Sequence, residues 1–276
     1  MKVFVLTILL TLSSLHAQWM KGINGNIKLS ELSIPGTHNT CARFGGMYAE
    51  CQTLTLEKQL EAGIRFLDIR CRHINDDFKI YHGIMSQHTS FTDVQKTCLD
   101  FLKKNPSESI IMSIQKENSD KGNKRKFGET FKALISKEHY YQATAFPKLK
   151  DVRGKIVIVS RNHEVAGIPW KSLCIQDRYK VSGSSDIEKK WGYINTQFKA
   201  SREDKKNQWF INFCTGNGFF STPATVAKSI NPRVEALIKK ELKEKKTLKL
   251  GTVVLDFPEQ SLIDVIIEAN ENVSQK

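Results

Sequence analysis

The sequence predicts an α/β fold, a single irregular barrel of parallel strands wrapped by helices. Three observations predict it. Strand-like and helix-like segments alternate along most of the chain, which is the rhythm of βα units. Lys155 to Ser160, KIVIVS, is an almost unbroken apolar run, the pattern of a strand buried on both faces. Arg161, Asp177 and Asp256 each stand at or just past the C-terminal end of a predicted strand, the rim where barrel enzymes assemble their sites.

Taken in order, Leu32 to Pro35 is a weak first strand that runs out just before His38. Gly63 to Arg70 and Phe78 to His82 are rich in β-branched and aromatic residues and read as a hairpin. Asn75-Asp76-Asp77 between them is turn chemistry, since Asn and Asp tolerate left-handed backbone. A hairpin centred on Asp76 sets Arg70 directly opposite His82, roughly 5 Å apart at Cβ. A one-residue slip would send the two to opposite faces. Thr92 to Lys104 has helical spacing and stops before Pro106. A strand at Ser109 to Gln115 and a helix at Lys124 to Lys137 come next. Beyond the apolar strand, Leu173 to Gln176, Gln208 to Phe213 and Gly251 to Leu255 are further strands. Helices are expected at Asp186 to Thr196, at Thr222 to Lys245 with an interruption near Pro232, and at Glu259 to Asn270. The inserted hairpin and the Trp/Phe-rich late strands make the barrel irregular.

The N-terminus reads as a secretion signal over residues 1–17. Lys2 precedes an apolar run from Val3 to Leu12, and small and polar residues lead to Ala17. That run falls well short of the ~20 residues needed to span a bilayer. The mature chain, 18–276, suits one domain, secreted and extracellular. Its formal charge is high, +13 for the whole chain, which favours an anionic partner such as a membrane surface. No recognition module for nucleic acid accompanies the charge. Six cysteines allow disulfides in an oxidising compartment. Proximity suggests only Cys41–Cys51, which would brace the loop after His38. No CxxC pair points to zinc. One glycosylation sequon, Asn272-Val273-Ser274, lies near the C-terminus.

The chemistry concentrates in His38, Arg70 and His82. Two imidazoles can divide the work of base and acid near neutral pH. An arginine between them can neutralise phosphate in a planar fork. Together they are the minimum equipment for phosphoryl transfer without a metal.

The phrases around these residues resemble the bacterial-type, secreted phosphatidylinositol-specific phospholipases C. SIPGTHNT, FLDIR, YHG, NPSESIIMSIQKE, RGKIVIVSR, IQDRYKV and VVLDF occur in that family's order from about Leu29 to Phe257. The resemblance implies a distorted TIM-type (β/α) barrel, no cofactor and no metal. It implies intramolecular attack of the inositol 2-hydroxyl on the phosphodiester, giving diacylglycerol and inositol 1,2-cyclic phosphate. By position, His38 resembles the base and Asp256 the carboxylate that orients it. His82 resembles the acid on the leaving glycerol oxygen. Arg70 would stabilise the phosphate, with Asp68 fixing the arginine or the histidine. Arg161, Asp177 and Tyr179 match the inositol-binding positions. Phe219 and Phe220 lie where family members carry an apolar rim loop; together with Met47 and Tyr48 they could insert shallowly among lipid headgroups, the alternative being ordinary burial in the core. The implied partner is membrane phosphatidylinositol, or the glycosylated inositol lipid that anchors surface proteins, met by a monomer.

Two residues depart from the bacterial pattern. Asn39 stands where Asp is usual, so it cannot support a neighbouring cation by charge. Gln115 replaces a lysine that contacts inositol, and Lys116 would face the other side of a regular strand. Other readings stay open. A metal-dependent barrel phosphodiesterase needs clustered carboxylates, and Arg70 sits in the middle of the would-be cluster. A secreted inositol-lipid binder without activity would have lost a catalytic residue, and Asn39 is the one candidate loss.

Overall fold

The computed structural model describes residues 16–244 and 248–271. The expected leader lies outside the described residues except for its last two, and so does the sequon. Strands run as β1 Ile34–Thr37, β2 Phe66–Ile74, β3 Asp77–His82, β4 Met85–Ser90, β5 Ile110–Lys116 and β6 Tyr140–Tyr141. They continue as β7 Ile156–Ser160, β8 Ile168–Pro169, β9 Cys174–Gln176, β10 Phe210–Phe213 and β11 Thr252–Leu255. The helices are α1 Leu56–Glu61, α2 Phe91–Lys104, α3 Phe127–Leu134, α4 Leu149–Val152, α5 Ser184–Glu203, α6 Pro223–Glu244 and α7 Gln260–Glu268.

The sheet order is β6-β7-β5-β2-β1-β11-β10-β9, with every neighbouring pair on this path parallel. The two-residue β8 extends the outer edge of β7. Among the described residues no strand pairing joins that edge to β9. The result is a curled parallel sheet whose barrel stays open on one side, the distorted TIM-type barrel expected.

Side chains alternate along each strand, and this places the site. Ile34, Phe66, Ile111, Val157, Val159, Ile211, Phe213 and Val254 fill the interior in one buried cluster. Their strand neighbours Leu67, Ile69, Ile110, Met112, Ile156 and Ile158 pack instead with residues of α2 and α3. Val253 and Leu255 pack with residues of α5, α6 and α7. Gly36 shares the inward parity and has no room for a side chain, because a Cβ there would lie 2.8 Å from that of Phe66. Counting on in steps of two from the inward residues reaches His38, Asp68, Arg70, Gln115, Arg161 and Asp256. The chemistry therefore follows from the same alternation that builds the core.

Three expectations need correction. The hairpin turn has two residues, Asn75 and Asp76, both left-handed at φ 51 and 57, which is the primed turn that fits strand twist. Asp77 opens β3, so Cys71 pairs Ile80 and Ile74 pairs Asp77. Continued to Arg70, this register would meet Tyr81, not His82. The β3–β4 register shifts between Lys79 and Tyr81, and the Arg70 and His82 side chains still line one cleft. Second, α6 runs unbroken through Pro232. The hydrogen bond that proline forfeits would have gone to the carbonyl of Lys228, an exposed residue whose carbonyl water can serve. Third, Cys41 and Cys51 are both free. Cys41 packs against the cluster that holds Cys71 and Cys98, while Cys51 turns toward Asn39.

One boundary also moved for a local reason. The α3 helix begins only at Phe127, since the backbone N–H groups of Lys124 and Arg125 are taken by the Asp76 carboxylate at 2.8 Å. The two-residue strands β6 and β8 are too short to read from sequence, and β4, MSQHTS, buries only one of its six residues and so shows no apolar alternation.

Candidate active site

The residues predicted for the site converge on one cleft of about 330 Å³, lined by His38, Arg70, His82, Gln115, Arg161, Asp177, Tyr179, Gly216, Asn217 and Pro223. It opens at the C-terminal rim of the sheet. The chain leaves that rim sharply: the residues after His38, His82 and Asp256 are all left-handed, Asn39 at φ 43, Gly83 at φ 54 and Phe257 at φ 46. Such backbone is rare for a bulky residue. At Phe257 it is held by a hydrogen bond from its N–H to the Cys51 carbonyl at 2.9 Å. Asn tolerates this conformation, which gives Asn39 a backbone reason to stand where it does.

The protonation pattern can be read from donors. Arg70 is donor only, and its Nη2 lies 3.1 Å from His38 Nε2. Nε2 therefore carries a lone pair, and the proton sits on Nδ1, where it is donated to Asp256 Oδ1 at 2.9 Å. Asp256 is 1 % exposed, so its charge acts on the ring with little screening. His82 is oriented differently. Its Nδ1–H donates to the Ala49 carbonyl at 2.7 Å, leaving Nε2 as the atom that gains and loses a proton. The two rings stand 6.4 Å apart, edge to face. Burial pushes the His82 pKa down from 6.5; the Ala49 hydrogen bond opposes this, and the charges of His38 and Arg70 add to the lowering.

Asp68 is the electrostatic anchor. It accepts from Arg70 Nε at 3.4 Å and Nη2 at 3.3 Å, from Arg161 Nη1 at 3.4 Å and from the Asn39 N–H at 3.2 Å. Burial alone would raise its pKa, but Arg70, Arg161, His38 and the Asn39 N–H outweigh it and hold the carboxyl at about 2. Of the two roles expected for Asp68, fixing the arginine is the one these contacts fit. Arg161 also lies 3.6 Å from Asp177, and its guanidinium stacks 4.1 Å over Trp170. Tyr179 is half exposed at the cleft edge.

The two departures behave differently. Among the described residues Asn39 hydrogen-bonds neither imidazole; its Nδ2 points to Cys51 Sγ at 3.7 Å, and its Oδ1 is buried without a partner. His82 thus leans on a carbonyl and not on a carboxylate. Gln115 lines the cleft with Oε1 unpartnered, a polar atom available to a ligand hydroxyl. Lys116 points away, paired with Asp120 at 2.6 Å.

Sequence reasoning missed Glu117 and Trp170. Glu117 Oε2 lies 3.9 Å from Arg70 Nη1, and Oε1 accepts from the Gly83 N–H at 2.8 Å. It ties the arginine to the loop that follows His82. Its signal was available, two residues past Gln115 and so on the same inward parity. Phe219 and Phe220 are each 80 % exposed, with ring centroids 4.7 Å apart. They extend the loop whose Gly216 and Asn217 line the cleft. Met47, Tyr48 and Ile84 are also exposed, on the loops after β1 and after His82.

Comparison with known proteins gives a consistent picture. Residues 26–162 match the family described as phosphatidylinositol-specific phospholipase C, X domain. A 1-phosphatidylinositol phosphodiesterase of Listeria monocytogenes is 34 % identical, over 92 % of this chain and 85 % of that protein. One from Staphylococcus aureus is 25 % identical, over 90 % of each. The solved Listeria phosphatidylinositol-specific phospholipase C superposes with a TM-score of 0.81, covering 93 % of this chain and 99 % of that one. A Staphylococcus aureus phosphatidylinositol-specific phospholipase C carrying pentafluoro-Phe, 22 % identical, shares the fold at a TM-score of 0.83, over 94 % of this chain and 99 % of that one.

Proposed function

This chain belongs to the phosphatidylinositol-specific phospholipase C family, and on that premise we propose that its cleft cleaves phosphatidylinositol by intramolecular transfer. One observation carries the reading. His38 is held by Asp256 through Nδ1 at 2.9 Å, its Nε2 lone pair faces Arg70 at 3.1 Å, and a second imidazole stands across the same cleft.

The inositol 2-hydroxyl gives its proton to His38 Nε2 as its oxygen bonds to phosphorus. Asp256 stabilises the imidazolium that forms. The bond from phosphorus to the glycerol oxygen breaks, and His82 Nε2–H protonates that oxygen. The products are diacylglycerol and inositol 1,2-cyclic phosphate. Arg70, which donates to His38, turns its fork to the phosphate oxygens and neutralises the charge that builds there. That exchange frees the base when substrate arrives. Arg161, Asp177, Tyr179 and Gln115 receive the ring hydroxyls, with Arg161 braced on Trp170.

The rim brings the cleft to its substrate. Phe219 and Phe220 enter the headgroup region beside it, with Met47, Tyr48 and Ile84 around the mouth, and the positive charge of the chain holds it to an anionic surface. Among the described residues no helix is long and apolar enough to cross a membrane, so this contact is shallow insertion. The protein acts outside the cell as a secreted monomer, where glycosylated inositol lipids are also within reach. Release of diacylglycerol from phosphatidylinositol micelles tests the reading. His38→Ala and His82→Ala should each abolish it while the folded spectrum persists; wild-type rates in either would overturn the assignment.

A further inference from the structure

The reaction above uses His38 and Asp256 but leaves a third group beside them idle. An imidazole nitrogen of His38, the thiol sulfur of Cys51 and a carboxylate oxygen of Asp256 all lie within 4.8 Å of one another. Separate segments deliver them: His38 follows β1, Asp256 follows β11, and Cys51 sits on the loop between β1 and α1. That loop is pinned at the cysteine itself, whose N–H donates to the Ala42 carbonyl and whose carbonyl accepts from Phe257, each at 2.9 Å. The thiol is poorly used. Its contacts are with Asn39 Nδ2 at 3.7 Å and the Ala49 carbonyl at 3.8 Å, weak interactions for sulfur.

We propose that His38, Cys51 and Asp256 form an inhibitory site for a thiophilic divalent cation of the zinc and cadmium class, which stops the reaction by occupying the base. One nitrogen, one thiolate and one carboxylate suit a borderline-soft ion, whereas calcium and magnesium ask for oxygen alone. A tetrahedral ion with bonds of about 2.0–2.3 Å keeps its ligand atoms roughly 3.3–3.8 Å apart, so the present spacing closes with small side-chain rotations. The ion enters past His38, which lines the cleft, because Cys51 and Asp256 are themselves buried.

The exchange balances without any oxidant. The cation displaces the thiol proton to solvent, and the His38 proton moves from Nδ1 to Nε2. Nδ1, Sγ and a carboxylate oxygen then bind the ion, and the base has no lone pair left for the 2-hydroxyl. Arg70 turns from Nε2 toward Asp68 and Glu117, which already hold it.

Titration of the mature protein with cadmium chloride in chelator-free buffer tests this, with two readouts. Binding is followed by the ultraviolet charge-transfer band of a cadmium–thiolate bond, and turnover by diacylglycerol release, each variant normalised to its own metal-free rate. One cadmium per chain should give the band and remove turnover, with magnesium chloride inert. Cys51→Ala, and independently Cys51→Ser, should remove the band and weaken inhibition at least about tenfold, since even partners outside the ligand shell are worth that much. A band that persists undiminished in both variants, or wild-type binding that leaves turnover intact, would overturn the proposal. The band is read without substrate, so failure of the lipase reading would appear separately, as metal-free protein that binds cadmium but never turns over.

Discussion

Asp68→Asn removes one charge and almost no volume from the most connected side chain in the cleft. The carboxyl is held at about 2 against an ordinary 3.8. Each pKa unit is worth about 1.4 kcal/mol, so its interactions contribute roughly 2–3 kcal/mol to folding at neutral pH. Asp68 is only 1 % exposed, so solvent screening takes little from that figure. Its loss also leaves Arg70 and Arg161 without their shared counter-charge, a change that costs about 3–5 kcal/mol when a buried pair is broken. The variant should therefore be less stable by about 2–5 kcal/mol at pH 7. The sign of the pH dependence follows from the depressed pKa. This stabilisation is fully present above the unfolded value and is lost as pH falls through the folded one, so the gap between the two proteins should narrow from about pH 4 towards pH 2. Urea unfolding followed by tryptophan fluorescence across that range measures it. Equal stability at pH 7, or a gap that stays constant into acid, would mean that Asp68 is not the charge that holds Arg70 and Arg161.

The remaining predictions concern turnover and membrane contact. Arg70→Lys keeps the charge but loses the fork that now spans Asp68 and His38, and kcat should fall by about 10²–10³; a wild-type kcat would contradict it. The lowered His82 pKa should appear in an NMR titration of its ring as a midpoint below 6.5, the resonance being identified by its loss in His82→Ala; a midpoint at or above 6.5 would contradict it. Glu117→Gln keeps the hydrogen bond to Gly83 but not the charge on Arg70, so kcat should drop roughly tenfold with KM little changed; a change in KM alone would make Glu117 a substrate contact instead. Phe219→Ser with Phe220→Ser should weaken sedimentation with phosphatidylinositol-containing vesicles by at least about tenfold, and affect a soluble substrate far less.

Much of this site was legible in the sequence because strand alternation is arithmetic. Once Phe66 and Val254 are taken as inward, Asp68, Arg70 and Asp256 must be inward too, and His38 follows from Gly36 in the same way. What failed were features set by one residue of turn geometry or by distant backbone. Asn75 and Asp76 each accept a left-handed φ, so the turn closed with two residues and the pairing slipped by one. The Ala49 carbonyl that orients His82 has no side-chain signature at all. Pro232 misled because its missing donor falls on the solvent face of α6, where the loss is small. The free Cys41 and Cys51 show that nearness in sequence does not make a disulfide when one side chain packs on a hydrophobic cluster and the other turns toward Asn39. The direction of Phe219 and Phe220 depended on the loop after β10, which Gly216 and Gly218 permit but do not aim.

The central claim is that two histidines and an arginine carry out an intramolecular transfer. Phosphorus NMR of the mature protein with phosphatidylinositol in mixed micelles and excess chelator tests it most directly. The signal of inositol 1,2-cyclic phosphate should appear first, before any open monophosphate, with no metal added. Inositol 1-phosphate formed with no cyclic precursor, or turnover that returns only with calcium or magnesium, would contradict it.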